Sequence, residues 1–173
     1  MNIADLIKSI RDVPDFPQKG VLFKDITTLL KDKEAFPAAV DLMAEASREL
    51  PVDLIVGIES RGFIFGAALA YTMGVGFAPI RKKGKLPAPT TSMTYQLEYG
   101  EDTVEIHDDA IRGGMHVLIV DDLLATGGTA EASAALIEKR GGKVSGFVFL
   151  IELDFLKGRQ KLESHPVHSL IHF

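Results

Sequence analysis

Short apolar runs that stop abruptly at charge or glycine limit most strongly how this chain can fold. The clearest lie in "DLIVGI" (Asp53–Ile58), "HVLIVDD" (His116–Asp122) and "VSGFVFLIEL" (Val144–Leu153). A strand with one wet face alternates apolar and polar residues, so a continuous run this short marks a strand covered on both faces. A helical stretch follows the first run, from Gly62 to about Met73, and another follows the second, "GTAEASAALIEKRGG", closed by glycines. Strands alternating with helices predict an α/β fold, a mostly parallel sheet flanked by helices. "GFAPIR" (Gly76–Arg81) and "VHSLIHF" (Val167–Phe173) add strands, and "MTYQLEYG" with "DTVEIH" reads as an antiparallel pair. Helical periodicity recurs at Ile3–Ile10 and Ala35–Leu50, whereas Arg11–Thr27, with two prolines and a glycine among scattered aromatics, reads as an ordered loop. "RKKGKLPAPT" (Arg81–Thr90) has four cations and no face to bury, which predicts a mobile surface loop.

Composition narrows the function classes. The 173 residues suit one domain with a real core, and neither repeats nor linker-like stretches divide them. A net charge of −5 offers no excess of cations to displace counterions, so no nucleic-acid partner is expected. The absence of cysteine excludes disulfides, thiolate zinc sites and a cysteine nucleophile, and fits a reducing compartment. "MNIADLIKSI" has no basic leader and too short an apolar run for a signal peptide, so a cytoplasmic location is expected. Phe63–Ile80 is uncharged and approaches spanning length, but Gly66, Gly74, Gly76 and Pro79 interrupt it. It reads as a buried helix, a glycine turn and a buried strand, with no membrane partner.

The chemistry concentrates in "VLIVDDLLATGGT" (Val117–Thr129). Ligands of parallel sheets bind beyond the carboxyl ends of the strands, where Asp121 and Asp122 sit. Neighbouring side chains of an extended strand face opposite ways, so the chain should turn here if both acids serve one ligand. Ionised carboxylates only accept hydrogen bonds, and their complement is a sugar diol or a divalent cation. Ala125, Thr126, Gly127, Gly128 and Thr129 follow, directly before a helix. Glycines let successive N–H groups converge, the helix N-terminus adds partial positive charge, and two hydroxyls add donors, which together suit a phosphate monoester. The acids and the turn therefore specify a ribose 5-phosphate. Neither GxxxxGK[ST] nor a GxGxxG after a strand is present, against nucleoside triphosphatase and dinucleotide readings.

This stretch resembles the phosphoribosyl pyrophosphate (PRPP) motif of the type I phosphoribosyltransferases. "FPQKGVLFKDIT", "ESRGFIFG", "RKKGKLP", "YQLEYG" and "ELDFLKGRQKL" extend the resemblance from Phe16 to Leu162 and toward the adenine-specific members. It implies a small hood from the N-terminal segment, about residues 1–30, over a core of about 31–173 with a mobile active-site loop. The implied reaction moves the ribose 5-phosphate of PRPP to N9 of adenine, giving AMP and pyrophosphate in purine salvage. Asp121 and Asp122 would hold the ribose, and Ala125 to Thr129 the 5′-phosphate. Ser60 and Arg61 would contact pyrophosphate together with Arg81, Lys85 and, third in order, Lys82. For "ESRGF" the plainer alternative is a helix capped by Ser60 with Arg61 solvated. The loop would close over the reaction and keep water out. Glu98 would be catalytic, as charge stabiliser or proton acceptor, with Tyr99 beside it. Backbone groups of Leu22, Phe23 and Lys24 would read the adenine edge, and Phe23 and Leu153 would cover its two faces. Lys24 stands where arginine is common in the family.

The substrate implies Mg2+, held mainly by pyrophosphate, ribose hydroxyls and water with few or no direct protein ligands. His165, His168 and His172 read as strand or surface residues, because their neighbourhood shows no convincing carboxylate set. The resemblance also implies a homodimer. Two alternatives stand beside this reading: transfer to another base, such as xanthine or orotate, and a regulator that senses PRPP.

Overall fold

The computed structural model describes residues 1–97 and 100–173. Its chain forms two compact units, Met1–Leu42 and Met43–Phe173. In the first, helix α1 (Ile3–Ser9) starts at a reciprocal cap, the Asn2 side chain accepting from the Asp5 amide and the Asp5 side chain from the Asn2 amide. The expected ordered loop is instead a hairpin: β1 (Arg11–Pro14) pairs antiparallel with β2 (Leu22–Asp25). Directly opposed residues carry opposite charge. Arg11 meets Asp25 at 2.5 Å and Lys24 meets Asp12 at 2.7 Å. Cross-strand ion pairs of this kind leave no apolar alternation to detect, which is why periodicity missed these strands. A short helix α2 (Thr27–Leu30) follows, and α3 spans Ala35–Ala46, ending four residues before the expected Leu50.

The second unit is built on a seven-stranded sheet. Its strands are β3 (Leu54–Ile58), β4 (Gly76–Lys82), β5 (Thr90–Gln96), β6 (Glu101–His107), β7 (His116–Leu124), β8 (Lys143–Glu152) and β9 (Val167–His172). Their order across the sheet is β5-β6-β4-β3-β7-β8-β9. β4-β3-β7-β8-β9 run parallel, while β6 pairs antiparallel with both β4 and β5. All five residues of β3 are buried, as are Val117–Val120 of β7. That is the double coverage their unbroken apolar runs demanded.

Helices α4 (Gly62–Met73) and α5 (Gly128–Lys139) connect neighbouring parallel strands. The β3-α4-β4 crossover steps one way along the sheet and β7-α5-β8 the other. Right-handed crossovers in opposite directions put the two helices on opposite faces and leave a crevice between the ends of β3 and β7. The uncharged stretch Phe63–Ile80 divides as expected into α4, a left-handed turn at Gly74 (φ 68°) and β4. No helix among the described residues is long and apolar enough to cross a membrane.

Two boundaries differ from the sequence reading. β4 runs on through Lys82, with Arg81 opposite Glu105 and Lys82 opposite Val104, so the cation run begins inside the sheet. β7 does not turn at the acids either. It stays paired with β8 through Leu124, because apolar residues at 123 and 124 continue the ladder beyond the carboxylates.

Candidate active site

At the end of β3, Glu59 accepts from the Lys82 amide at 2.9 Å and from the Lys85 ammonium at 2.5 Å, while Arg81 Nε lies 3.3 Å away. Burial alone would raise the Glu59 carboxyl, but the bonds from Lys85, the Lys82 amide and Arg81 outweigh it and lower its pKa to about 2. Arg81 also lies 5.9 Å from the centre of the Phe63 ring and donates to the Lys85 carbonyl. Two of the expected pyrophosphate cations, Arg81 and Lys85, are thus gathered on one carboxylate that had no role in the sequence reading. The ammonium of the third, Lys82, is ion-paired instead with Asp102 and lies 3.1 Å from the Tyr95 hydroxyl.

Ser60 is exposed and does not cap α4: the cap position belongs to Arg61, with no side-chain hydrogen bond. Arg61 Nε stands 2.8 Å from Asp122 Oδ2, an ion pair reaching from the end of β3 to the end of β7. Its alignment does not make a hydrogen bond, and Asp122 Oδ2 is buried without one. Glu59, Ser60, Arg61, Asp121, Asp122 and Leu123 line one cavity of about 450 Å³. Both acids reach it although the strand stays extended, because the Asp121 carboxylate folds back to accept from the Asp122 amide at 2.9 Å. Gly62 allows the close fit beside it, since a Cβ there would stand 2.8 Å from Asp121 Oδ1. Burial first, and then repulsion from Asp122, push the Asp121 carboxyl well above the usual range. Asp122 is raised by burial against the pull of Arg61. A ligand that donates hydroxyls to this pair, or a hard cation beside it, would relieve that penalty.

Beyond β7, Ala125–Thr129 turns into α5 around Gly127, at φ 80°. The first helical bond runs from the Glu131 amide to the Gly127 carbonyl, so the amides of Gly128, Thr129 and Ala130 are the orphan donors of the helix start. With Asp121 and Phe149 these residues line a small hollow of about 90 Å³. The turn is braced from behind by the segment Gly158–Leu162. A Cβ on Gly158 would overlap the Ala125 carbonyl and stand 2.9 Å from the Gly127 amide nitrogen. Arg159 ties that segment to the sheet through Glu152 at 2.5 Å and the Val167 carbonyl at 2.7 Å. Thr126 is exposed, whereas the Thr129 hydroxyl meets the Tyr95 hydroxyl at 2.9 Å. Tyr95, Asp102, Glu59 and Gly158 are the residues that sequence reasoning missed. Glu59, Tyr95 and Gly158 each carried a signal, a place in the matched stretches "ESRGFIFG", "YQLEYG" and "ELDFLKGRQKL", whereas Asp102 lies outside all of them.

The remaining expected site residues are placed as follows. Leu22, Phe23 and Lys24 lie on β2, with Phe23 edge-on to Phe16 at 5.2 Å and Lys24 paired with Asp12. Leu153 follows β8 and donates its amide to the Leu124 carbonyl. Glu98 and Tyr99 lie outside the described residues. The neighbourhood of the C-terminal histidines does hold carboxylates: ligand atoms of Glu152, Asp154 and His172 lie within 4.8 Å of one another. Glu152, however, is already bonded by Arg159 and Ser169, and His172 by Asp154 at 2.9 Å. His165 stands 3.3 Å from Glu138.

Fold and crevice together define a doubly wound α/β protein with its candidate ligand site at the switch point of the sheet. Comparison with known proteins makes the class specific. The family model described as phosphoribosyl transferase domain matches residues 25–170. The chain belongs to that phosphoribosyl transferase family, and within it to the adenine phosphoribosyltransferases. The adenine phosphoribosyltransferase of Desulfitobacterium hafniense (strain Y51) is 59% identical over 173 residues, 100% of both chains. The crystal structure of the adenine phosphoribosyltransferase of Thermoanaerobacter pseudethanolicus ATCC 33223 has a TM-score of 0.97 at 54% identity, covering 99% of this chain and 100% of that one. That from Saccharomyces cerevisiae, complexed with D-2,5-dideoxy-2,5-imino-altritol 1,6-bisphosphate and adenine, has a TM-score of 0.91 at 44% identity, covering 97% of each.

Proposed function

We propose that the protein transfers the ribose 5-phosphate of PRPP to N9 of adenine, releasing pyrophosphate and forming AMP for purine salvage. One observation carries this reading: an acid pair on β7 and a glycine turn at the start of α5 follow one another at the switch point, in a chain alike over its full length to enzymes of that name. Asp121 and Asp122 accept the ribose hydroxyls, and Ala125, Thr126, Gly127, Gly128 and Thr129 take the 5′-phosphate. Ser60, Arg61, Arg81 and Lys85 meet pyrophosphate, with Lys82 third. Leu22, Phe23 and Lys24 contact adenine, and so, as a separate assignment, does Leu153. The oxygen-only donors of the acid pair, with Asp122 Oδ2 buried and ion-paired to Arg61 but without a hydrogen bond, fit Mg2+ reached through ribose hydroxyls and water. Bound there, the ion would neutralise charge on the leaving group. A single catalytic domain acting as a homodimer in the cytoplasm completes the reading.

Base competition tests it. Adenine should give AMP and stoichiometric pyrophosphate from PRPP ahead of hypoxanthine, guanine, xanthine and orotate. Faster turnover of another base overturns the specificity, and no pyrophosphate with any base favours a regulator. Glu98 is tested separately. Glu98→Gln should lower kcat by on the order of a hundredfold with little change in PRPP affinity, the mark of a role in the transition state.

A further inference from the structure

Glu105 on β6 is a buried acid, 8% exposed, that the proposed reaction leaves unused. It stands directly opposite Arg81 in the antiparallel pairing of β4 and β6, where opposed side chains share a face. The ion pair this register invites does not form. Arg81 turns to Glu59, and Glu105 Oε2 accepts from the main-chain amide of Gly84 at 2.9 Å. Burying a carboxylate is costly unless hydrogen bonds offset the loss of water. Among the described residues, the Gly84 amide is the one donor that the Glu105 side chain has.

Gly84 is where the cation run turns. Its φ of 81° lies in the left-handed region that glycine enters freely, with open space where a Cβ would stand. Three successive amides are held around this turn. Lys82 donates to the Glu59 carboxylate at 2.9 Å, Lys83 to the Thr103 carbonyl at 3.2 Å, and Gly84 to Glu105. Beyond the turn Lys85 comes back, its carbonyl 3.3 Å from Arg81 Nη1 and its ammonium on Glu59. The meeting of Arg81 with Lys85 therefore depends on where the chain turns. Glu105 sets that place through the main chain and bonds neither cation.

We propose that Glu105 is a positioning residue that pins the Gly84 turn so that Arg81 and Lys85 converge on the pyrophosphate group. The assignment rests on the reading that these two cations meet pyrophosphate. Its role differs in kind from that of Glu59, which bonds the cations themselves.

Two replacements of nearly equal length separate the bond from the charge. Glu105→Gln and Glu105→Met both remove the negative charge, but only Gln keeps an oxygen that can accept from Gly84. Binding of pyrophosphate and of AMP is measured by calorimetry on the intact protein, and tryptic cleavage after Lys83 and Lys85 is timed. If the wild-type protein fails to bind AMP, the functional reading falls and takes the proposal with it. If it binds AMP but not pyrophosphate, the proposal alone falls. With both bound, Glu105→Met should hold pyrophosphate about fivefold more weakly than Glu105→Gln, the scale of one lost hydrogen bond, and AMP should be unchanged in both. Glu105→Met should also be cut about threefold faster or more, and Glu105→Gln at the wild-type rate, because a loosened turn opens more often. Equal pyrophosphate affinity in the two variants, equal cutting, or a matching loss for AMP overturns the proposal. Should Glu105→Met not fold, hydrogen exchange in the wild-type protein decides. The Gly84 amide should then exchange about tenfold more slowly than an unstructured glycine amide, and exchange at the unprotected rate overturns the pin.

Discussion

The two ends of the crevice are built from different materials. Around the phosphate hollow the shape comes from main chain: a turn at Gly127, the first amides of α5, and a backbone segment pressed against them at Gly158. Around Glu59 it comes mainly from side chains, long cations held by one carboxylate that also accepts from the Lys82 amide. A backbone site is fixed before its ligand arrives and cannot be tuned by small steps. A side-chain site is already satisfied internally, so an anion entering it must compete with Glu59 for its cations. The first arrangement suits a group retained from substrate to product, the second a group that has to leave.

The harshest way to break the backbone end is Gly158→Ala. The new Cβ would overlap the Ala125 carbonyl, and main chain on both sides can give way only by moving the turn. AMP affinity should fall on the order of a hundredfold, as when a binding group is displaced by about 1 Å. Stability should fall by about 2 kcal/mol through overpacking, and pyrophosphate affinity, measured alone, should hardly change. Calorimetry with each ligand separates these; equal losses would mean that the two ends are not independent.

Asp121 and Asp122 lie between the two ends, and replacing both by Asn should weaken PRPP about tenfold through lost hydrogen bonds to the ribose. Full PRPP affinity would remove the diol assignment. A companion effect runs the other way. The raised Asp121 carboxyl costs the folded state its stability as pH climbs from the ordinary carboxylate range toward the folded pKa. Removing that charge should therefore raise Tm at neutral pH while ligand binding drops.

This contrast also explains how much could be read from sequence. The buried runs of β3 and β7, the limits of α4 and the hollow before α5 follow from local rules: apolar continuity, the left-handed turn at Gly74, glycines before a helix. The hairpin β1–β2 escaped because charged cross-strand pairs, not an apolar face, identify it. Glu59 and Asp102 escaped for a related reason. Each meets at least one cation distant in sequence, and nothing in "ESRGF" or "EDTVEI" says which lysine a carboxylate will meet once the sheet is assembled. Even the extended course of β7 through its acids depended on the partner strand, since Leu123 and Leu124 could continue the ladder only because β8 extends alongside them.

The gentlest probe acts on the side-chain end. Glu59→Gln keeps the shape and removes the charge that holds Arg81 and Lys85. With its pKa lowered from 4.5 to about 2, Glu59 contributes stability that is present above pH 4.5 and lost as the pH falls toward 2. The variant should be less stable than wild type by about 1 kcal/mol at neutral pH, and the gap should close through that window in denaturant titrations at stepped pH. Its freed cations should meanwhile bind pyrophosphate about threefold more tightly, the scale of an ion pair no longer in competition. Weaker pyrophosphate binding would mean that Glu59 orients Arg81 and Lys85 for the leaving group rather than competing with it, and that this end of the crevice is as preformed as the other.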